Sequence, residues 1–478
     1  MISEKDMDVC MSVSRRWFIG GAASLGALQG CRYFTDPLGA FRGRGDLRFG
    51  VVSDMHVSYR SDESHLNDLT TFEHALRWFD AQGVDAVVIA GDMAQGGVDE
   101  QLCFIGEAWR RVFPDGRGAD GRPVEKLFVL GNHDRGGRRY ARESWGPYAK
   151  VPEAELVPRL IVTDPRRAWE KAFGEPYEPI WRKTVKGYDF VGVQWTVEET
   201  KGRDEAFNPG IGAWYAAHGR ELDPLRPFFH IQHPHPKGTA FGDWVWGQDD
   251  GASTKALSRL PNAIAFSGHS HCSILDERAI WQGAFTSVAA GSLFCAAPPS
   301  DVGEAGYVKN PNFNSRASRN GLLVDVFADR MVVRRRDFTA DCDLGPDWVV
   351  PLGAAEPRPF AFAARSRRAA PPQFPSAARV TASAGNGTLD IAFTAAIRTF
   401  ESRPWRYEVR VERADGAVAL RKNVLSPDFH LPLANAAKRV ELSVPRSELP
   451  ADGELRIAVT PYDCFGNAGR FAVGVAQL

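Results

Sequence analysis

The chain has 478 residues, of which 44% are hydrophobic, and a formal net charge of −1. This length exceeds the usual size of one domain, and 13 Trp and 29 Phe are ample for packed cores. The near-neutral charge argues against the basic patch that nucleic-acid binding needs and against polybasic attachment to a membrane. No apolar run is long enough to span a bilayer as a stable helix.

The first 31 residues differ in composition from the rest of the chain. Arg15 and Arg16 precede a short Gly- and Ala-rich apolar stretch at residues 20–28, and residues 28–31 are Leu-Gln-Gly-Cys. The segment resembles a twin-arginine export signal, and its end is similar to a lipoprotein processing site with Cys31 as a candidate lipid anchor. We therefore predict an exported protein, either periplasmic or a membrane-anchored lipoprotein. The alternatives are an exported protein that is cut nearby without lipidation, and a buried N-terminal helix.

Four apolar runs that predict buried strands each lead into a short polar segment. The runs end at residues 52, 90, 130 and 267, and the segments are Asp54-Met55-His56, Gly91-Asp92, Gly131-Asn132-His133-Asp134 and Gly268-His269-Ser270-His271. In open α/β sheets, side chains beyond the carboxyl ends of strands converge on one crevice. Carboxylate, imidazole and amide oxygen, without thiolate, suit ions such as Zn, Mn or Fe. The four segments therefore predict one metal centre.

Between these strands the pattern is β-α-β. Leu66, Leu69, Phe72, Leu76 and Phe79 recur at spacings of three and four, which predicts an amphipathic helix that faces the sheet. Further predicted elements, in chain order, are a helix at about 100–112, strands at 190–195 and 228–233, and a hairpin from 322–327 and 331–334. This series predicts an α/β fold with helices against a sheet.

Taken in order, the polar segments resemble the calcineurin-like metallophosphoesterase family. The family pattern is D-x-H, then G-D, then G-N-H-[D/E], then a lone His, then G-H-x-H. The resemblance covers roughly residues 46 to 340, and we place the catalytic domain at residues 46–342. It implies a four-layer sandwich of two mixed β-sheets flanked by helices.

Three histidines compete for the lone position in residues 228–236, which are Phe-Phe-His-Ile-Gln-His-Pro-His-Pro. We favour His233, because it ends the apolar strand and Pro234 cannot continue the ladder. His230 lies inside the strand on the opposite face, so we predict that it is packed or supports a ligand. For His235 we favour an outer hydrogen-bond partner or a substrate contact over a metal ligand.

Carried over by motif position, the resemblance implies two metal ions, whose identity among Fe, Mn and Zn stays open. The ligands of one ion would be Asp54, His56 and His271, those of the other Asn132, His233 and His269, and Asp92 would bridge the two. Metals about 3.5–4 Å apart can hold a shared hydroxide and clamp both the attacking and the leaving oxygen of an in-line displacement at phosphorus.

The resemblance also implies a catalytic role for His133, which lies beside a ligand position. It is the candidate to hydrogen-bond the phosphoryl group or to protonate the leaving oxygen, and Asp134 could orient it. The alternative is a histidine that caps a helix end or is solvated.

After Cys342 the composition changes. Residues 343–375 are rich in Pro and Ala, which predicts a linker. Within 376–478, short alternating strands are predicted at 389–393, 407–411, 440–444 and 455–459. Their regular spacing predicts an all-β sandwich domain, and its closing residues resemble the last hairpin of a fibronectin type III module.

Two further features bear on chemistry. Seven cysteines without a C-x-x-C spacing predict no disulfide framework, and we favour a buried packing role for Cys272, beside His271, over a thiol at the metals. The tryptophans in or near loops that could rim the cleft would either stack on a nucleoside or sugar or pack in the core, and these are Trp195, Trp214, Trp244, Trp246 and Trp281.

These features predict a two-metal hydrolase of small or medium-sized phosphate esters, either monoesters or diesters. The residues after Asp92 lack the G-D-x-x-D-R-G pattern of phosphoprotein phosphatases, which argues against a protein substrate. The alternative function is a surface interaction protein, in which the metals are structural and the β-sandwich binds a partner or a glycan.

Overall fold

The computed structural model of this chain describes most residues from 43 onwards. The described ranges are 43–58, 68–143, 147–197, 206–242, 247–297, 307–308, 313–353, 358–385, 387–399 and 402–478. The predicted export signal with Cys31 lies outside them, as do Trp244 and Trp246, so their roles stay predictions. Within these ranges, every helix is too short or too polar to cross a membrane.

Strands predominate in the described ranges. In chain order they are β1 (Leu47–Val52), β2 (Ala86–Ala90), β3 (Glu125–Val129), β4 (Ile180–Val185), β5 (Tyr188–Val193), β6 (Phe228–Ile231), β7 (Ala263–Ser267), β8 (Ile280–Gln282), β9 (Thr286–Ala289), β10 (Tyr307–Val308), β11 (Asn320–Val326), β12 (Arg330–Asp337), β13 (Cys342–Asp343), β14 (Trp348–Pro351), β15 (Val380–Ala384), β16 (Thr388–Thr394), β17 (Arg406–Arg413), β18 (Val418–Leu425), β19 (Arg439–Pro445), β20 (Glu454–Tyr462) and β21 (Ala472–Gln477).

The α-helices are fewer than the strands and lie mostly in the first two thirds of the chain. The α-helices are α1 (Asp68–Gln82), α2 (Asp99–Val112), α3 (Asn132–Arg135), α4 (Gly137–Glu143), α5 (Glu153–Leu156), α6 (Pro165–Phe173), α7 (Ile211–His218), α8 (Ala252–Leu257) and α9 (Phe362–Arg368). Single 3₁₀ turns occur at Pro114–Gly116, Pro147–Lys150, Val157–Arg159, Gly219–Glu221, Glu277–Ala279, Ser315–Ala317, Leu433–Asn435 and Arg446–Glu448.

The described residues form two units. The first comprises those within 43–274, 279–297 and 316–358, and the second comprises those within 275–278, 298–315 and 359–478. The first unit contains all the polar segments that predict the metal centre.

The first sheet of the first unit has the strand order β13-β12-β11-β1-β2-β3, and β14 also pairs with β12. β1, β2 and β3 are parallel, whereas β11 runs antiparallel to β1. All five residues of β2 are buried, as expected for a parallel strand covered on both faces. The parallel strands bring the ends of three of the four apolar runs to the same edge of this sheet.

The second sheet has the order β4-β5-β6-β7-β9-β8, with parallel pairing from β5 to β9 and antiparallel strands at both edges. It faces the first sheet across an aromatic cluster. The ring of Phe49 in β1 lies 5.3 Å from that of Phe190, 5.0 Å from that of Phe229 and 5.6 Å from that of Phe266. Each buried Phe contributes roughly 1.5–3 kcal/mol, so these contacts stabilise the pairing of the two sheets.

Helices cover the outer faces of both sheets. In α1 the predicted apolar positions Leu69, Phe72, Leu76 and Phe79 are buried, whereas Leu66 lies outside the described residues. A Cβ atom at Gly50 of β1 would lie 2.7 Å from the Phe79 ring, so this glycine lets the helix approach the strand. α7 and α8 bury apolar side chains in one cluster with residues of β5, β6 and β7. The predicted α/β sandwich of two mixed sheets flanked by helices is therefore confirmed.

The second unit is all-β apart from α9 and short turns in its described residues. A sheet with the order β10-β18-β17-β20-β21 and a sheet with the order β15-β16-β19 enclose one apolar core that includes Tyr407, Leu442 and Ile457. All pairs are antiparallel except β10 with β18. The all-β character of the C-terminal region is confirmed, and its assignment to the fibronectin type III class stays a prediction.

The segment predicted as a linker, residues 343–375, is more regular than its composition indicated. β14 pairs antiparallel with β12, with Trp348 opposite Val333, and α9 begins at Phe362. Pro351 is the last residue of β14, at an outer edge of the sheet, where a missing N–H costs no ladder bond. The first unit therefore continues to residue 358, beyond the predicted boundary at residue 342.

Candidate metal centre

The predicted ligands lie where the two sheets meet, just beyond the ends of parallel strands. Asp54 and His56 follow β1, Asp92 follows β2, and Asn132 opens α3 directly after β3. The remaining histidines follow strands of the second sheet, with His233 after β6 and with His269 and His271 after β7. All seven predicted ligands therefore lie in short segments that follow buried strands, and these strands fix their positions.

Three of them form a first half-site. The Nε2 atom of His271 lies 3.2 Å from Asp54 Oδ1 and 3.0 Å from His56 Nε2. The His56 Nε2 to Asp54 Oδ1 distance is 3.8 Å. Donor atoms bound at 2.0–2.2 Å to one tetrahedral ion would lie about 3.4 Å apart, so this spacing fits a metal ion.

A second half-site adjoins the first. His233 Nε2 lies 3.1 Å from Asn132 Oδ1 and 3.1 Å from Asp92 Oδ2. Asp92, His233 and His269 offer donor atoms that all lie within 4.8 Å of one another. Imidazole, carboxylate and amide oxygen are therefore together at this half-site, as predicted for a hard or borderline divalent ion.

Asp92 stands between the two half-sites. Its Oδ2 atom is 3.1 Å from His233 Nε2 and 3.6 Å from His56 Nε2, while its Oδ1 atom accepts a hydrogen bond of 2.9 Å from the His133 N–H. One oxygen is thus fixed by the backbone and the other faces both half-sites. This geometry suits a carboxylate that is shared by two cations.

The backbone at these ligands is strained. Nine described non-glycine residues have φ in the left-handed region, and five of them are the predicted ligands Asp54, His56, Asp92, His269 and His271. Each such conformation costs on the order of 1–3 kcal/mol, and clusters of them mark functional sites. The sheets therefore hold these side chains in positions that a relaxed loop would not supply.

Two motif glycines are needed because neighbouring chains approach closely. A Cβ atom at Gly131 would lie 2.2 Å from Asp92 Oδ1, and one at Gly268 would lie 1.8 Å from Ser53 Oγ and 2.4 Å from Asp54 Oδ2. Any larger residue at these positions would displace a predicted ligand.

Groups behind the ligands fix the tautomers of two histidines. His56 Nδ1 lies 2.6 Å from Gln95 Oε1, and His233 Nδ1 lies 2.7 Å from the Ala90 carbonyl oxygen. Because both partners are oxygens that only accept, each Nδ1 carries the hydrogen and each Nε2 presents its lone pair to the half-site. His271 Nδ1 lies 3.4 Å from Cys295 Sγ, a sulfur partner for a predicted metal ligand.

The charges of the centre favour a cation. Burial lowers the pKa of His233, but the carboxylates of Asp92 and Asp54 outweigh this effect and raise that pKa to about 9. Burial raises the pKa of Asp54, but the imidazoles of His271 and His56 outweigh it and hold that pKa well below its usual value. Positive charge at the His233 ring is therefore stabilised, and a divalent ion would supply positive charge to the centre without a proton.

His133 lies against this centre without joining either predicted ligand set. Its ring is 4.5 Å from that of His56 and stacks on Tyr140 at 4.1 Å, and its Nδ1–H donates to the Gln95 carbonyl oxygen at 3.0 Å. Burial outweighs the attraction of Asp92 and lowers the pKa of His133 to about 4. In the neutral ring, Nε2 therefore carries a lone pair that can accept a hydrogen bond.

Asp134 contacts backbone rather than His133 among the contacts of the described residues. Its carboxylate accepts hydrogen bonds from the N–H groups of Ala94 at 2.6 Å, Gly131 at 2.7 Å and Met93 at 3.3 Å. It therefore ties the segment after β2 to the segment after β3. The predicted orientation of His133 by Asp134 stays a prediction, whereas the observed partner of the His133 ring is Gln95.

The other two histidines of the 230–235 segment lie in separate networks. His230 accepts from the Tyr215 hydroxyl at 2.7 Å and donates to Gln232 Oε1 at 2.6 Å. His235 bonds Ser267 Oγ and Ser270 Oγ, both at 2.7 Å. Both histidines are fully buried. His235 thus supports the loop between His269 and His271 through Ser270.

Substitution of these histidines is expected to give three different results. His233→Ala should remove one metal ion, because His233 Nε2 faces the second half-site. His230→Ala should mainly lower stability, by roughly 1–3 kcal/mol, since it leaves buried partners unpaired. His235→Ala should mainly slow turnover, because its serine partners hold the ligand loop. Elemental analysis, thermal denaturation and ester hydrolysis separate these effects, and loss of an ion from His235→Ala but not from His233→Ala would contradict the assignment.

Sequence reasoning missed several groups at the centre. Gln95 lies three residues after the motif residue Asp92, and this closeness in the sequence was the only sign that it belongs to the centre. No local pattern pointed to Tyr140, Phe294 or Cys295. The Phe294 ring lies 4.9 Å from that of His56.

Trp195 is 4% exposed, and Trp214 and Trp281 pack against the apolar cluster of the second sheet. All five cysteines in the described residues are free thiols.

The comparisons with known proteins concern this same part of the chain. Residues 47–273 match the family model described as calcineurin-like phosphoesterase. Among curated protein sequences, none is significantly similar to this chain. Similar solved structures include a dimetal phosphatase from Danio rerio, with 13% identity, a TM-score of 0.36, and coverage of 65% of this chain and 100% of that chain.

Two others are purple acid phosphatase PPD1 from yellow lupin and Vps29 from Entamoeba histolytica in complex with Zn²⁺. The first has 14% identity, a TM-score of 0.41, and coverage of 64% of this chain and 53% of that chain. The second has 12% identity, a TM-score of 0.29, and coverage of 64% of this chain and 100% of that chain. The motif segments assembled at one centre all lie within residues 47–273, which are similar to the calcineurin-like phosphoesterase family and have its α/β sandwich fold of two mixed sheets.

Proposed function

We propose that this chain hydrolyses phosphate esters with the help of two metal ions held at the junction of the two sheets. The observation that carries the proposal is the position of Asp92, whose Oδ2 atom faces His233 Nε2 at 3.1 Å and His56 Nε2 at 3.6 Å. A buried carboxylate shared by two imidazole-rich half-sites suits a pair of adjacent cations better than a single structural ion.

When bound, such ions supply Lewis acidity at the phosphoryl oxygens and an activated water as nucleophile. The side chains of the protein supply the other contributions to the reaction. Asp54 and Asp92 are 0% and 1% exposed, so their charge acts in a medium that screens it weakly. His271 is 12% exposed and Asn132 is also partly exposed, so the centre opens to solvent on their side. An ester that enters there meets His133, whose ring lies 4.5 Å from that of His56 in the first half-site.

His133 is proposed to serve the leaving group. Its Nδ1–H is held by the Gln95 carbonyl oxygen, so Nε2 is the atom available to the substrate. Protonated in the complex with the anionic ester, Nε2 can hydrogen-bond a phosphoryl oxygen or give its proton to the leaving oxygen as the P–O bond breaks. We propose small or medium-sized monoesters or diesters as substrates, because the residues after Asp92 lack the G-D-x-x-D-R-G pattern of phosphoprotein phosphatases and the formal net charge of the chain is only −1.

The purified protein is expected to contain two metal ions per chain and to hydrolyse an aryl phosphomonoester, an aryl phosphodiester or both. Removal of the ions with a chelator should abolish turnover, and adding back Zn, Mn or Fe should restore it. Elemental analysis and release of the coloured phenolate measure the two quantities. Firmly bound ions without turnover of any ester would favour the alternative of an interaction protein with structural metals.

A further inference from the structure

We propose that the indole N–H of Trp195 donates a hydrogen bond to a phosphoryl oxygen of the ester bound at the half-site of Asn132, His233 and His269. This inference rests on the proposed function and names a binding residue outside the ligand motifs. The indole N–H would bind the phosphoryl group itself, which all phosphate esters share.

The position of Trp195 supports this assignment. Its ring centroid lies 5.8 Å from that of His269 and 6.1 Å from that of His233, so the indole adjoins both imidazoles of the second half-site. Its backbone N–H donates to the Leu130 carbonyl oxygen at 3.1 Å. Leu130 precedes Gly131 and the predicted ligand Asn132, so Trp195 is fixed against the strand end that carries this ligand.

The indole nitrogen is a buried donor in need of an acceptor. Trp195 is 4% exposed, and its Nε1 atom has no hydrogen-bond partner among the residues that the structure describes. A buried donor left unsatisfied costs about 1–3 kcal/mol, and tryptophans in protein interiors usually find a partner. Beside a centre that attracts anions, a phosphoryl oxygen is an acceptor of the right charge.

The surrounding chain holds the indole in place before any ligand binds. The Phe207 ring lies 5.5 Å from the Trp195 ring. Thr196 N–H donates to the Phe207 carbonyl oxygen at 3.0 Å, and the Thr196 carbonyl oxygen accepts from Arg135 Nη2 at 2.9 Å. Donors that are fixed in advance stabilise charge without reorganisation, which is the property that phosphate recognition and turnover both use.

Trp195→Phe tests the proposal, because it keeps an aromatic ring and removes the N–H. In the metal-loaded protein, inorganic phosphate measured by calorimetry should bind roughly 10- to 100-fold more weakly than in the wild type, with the metal content unchanged. Trp181→Phe is the matched control. The Trp181 N–H already donates to the Phe128 carbonyl oxygen at 3.2 Å, so this variant should keep wild-type phosphate affinity.

A second measurement is made on the wild-type protein, and the variant serves only to assign the resonance. In wild-type protein labelled with ¹⁵N at tryptophan, phosphate should move one indole N–H resonance downfield, and that resonance should be the one absent from Trp195→Phe. Phosphate affinity of Trp195→Phe within twofold of the wild type, an unmoved indole resonance, or loss of a metal ion would each overturn the proposal. If the wild type itself binds no metal and no phosphate, the proposed function fails, and this inference fails with it.

Discussion

Asp92→Asn is expected to abolish ester hydrolysis and to loosen both metal ions. The His133 N–H donates to Asp92 Oδ1 at 2.9 Å, so an asparagine would keep its oxygen there and turn its amide nitrogen towards His233 and His56. An NH₂ group cannot bind a cation, and the variant also loses the negative charge that two adjacent cations share. Elemental analysis after dialysis and turnover of aryl and alkyl phosphates measure both effects.

Asp99→Asn is the matched control for the loss of a buried carboxylate. Asp99 is 2% exposed and pairs with Arg167 and Lys171, each at 3.1 Å, at the start of α2. Its replacement should lower the melting temperature and leave metal content and turnover unchanged. Wild-type stoichiometry and rate in Asp92→Asn would show that Asp92 does not bridge the ions.

The arrangement of the centre could be predicted from the sequence because it depends on strand ends. Parallel strands within one sheet bring their carboxyl ends to one edge, so short polar segments after apolar runs meet even when far apart in the chain. Pro234 distinguished His233 from His230 in the same way, by ending the ladder. His233 indeed faces Asn132 and Asp92, whereas His230 bonds Tyr215 and Gln232.

What the sequence did not predict depends on contacts between distant residues. Cys295 contacts His271, which is 24 residues away in the sequence, and Tyr140 stacks on His133. Neither contact produces a periodic pattern in the sequence. β10 was not predicted either. This two-residue strand lies between β9 and β11 in the chain, but it pairs with β18 of the second unit. Composition likewise hid β14, because a proline-rich segment can still pair at a sheet edge.

His133→Asn is expected to keep both metal ions and to slow the hydrolysis of alkyl phosphates by roughly 100- to 10,000-fold, the usual effect of losing a positioned acid–base group. The asparagine amide can replace Nδ1–H as donor to the Gln95 carbonyl oxygen, which His133 contacts at 3.0 Å, so the loss is confined to Nε2. Aryl phosphates should lose less, because an aryl oxide leaves without much protonation. Steady-state rates across a leaving-group series measure the difference.

His133→Gln separates proton donation from phosphate binding at the same position. A glutamine amide reaches towards the place of Nε2 and can hydrogen-bond a phosphoryl oxygen, but it cannot deliver a proton. If His133 acts as the acid, His133→Gln should regain substrate affinity and stay slow with alkyl leaving groups. Equal losses of hydrolysis rate for alkyl and aryl esters would show that His133 binds the phosphoryl group and does not act as the acid. Loss of an ion would make His133 a ligand, since it offers a donor atom within 4.8 Å of those of His56 and Asp92.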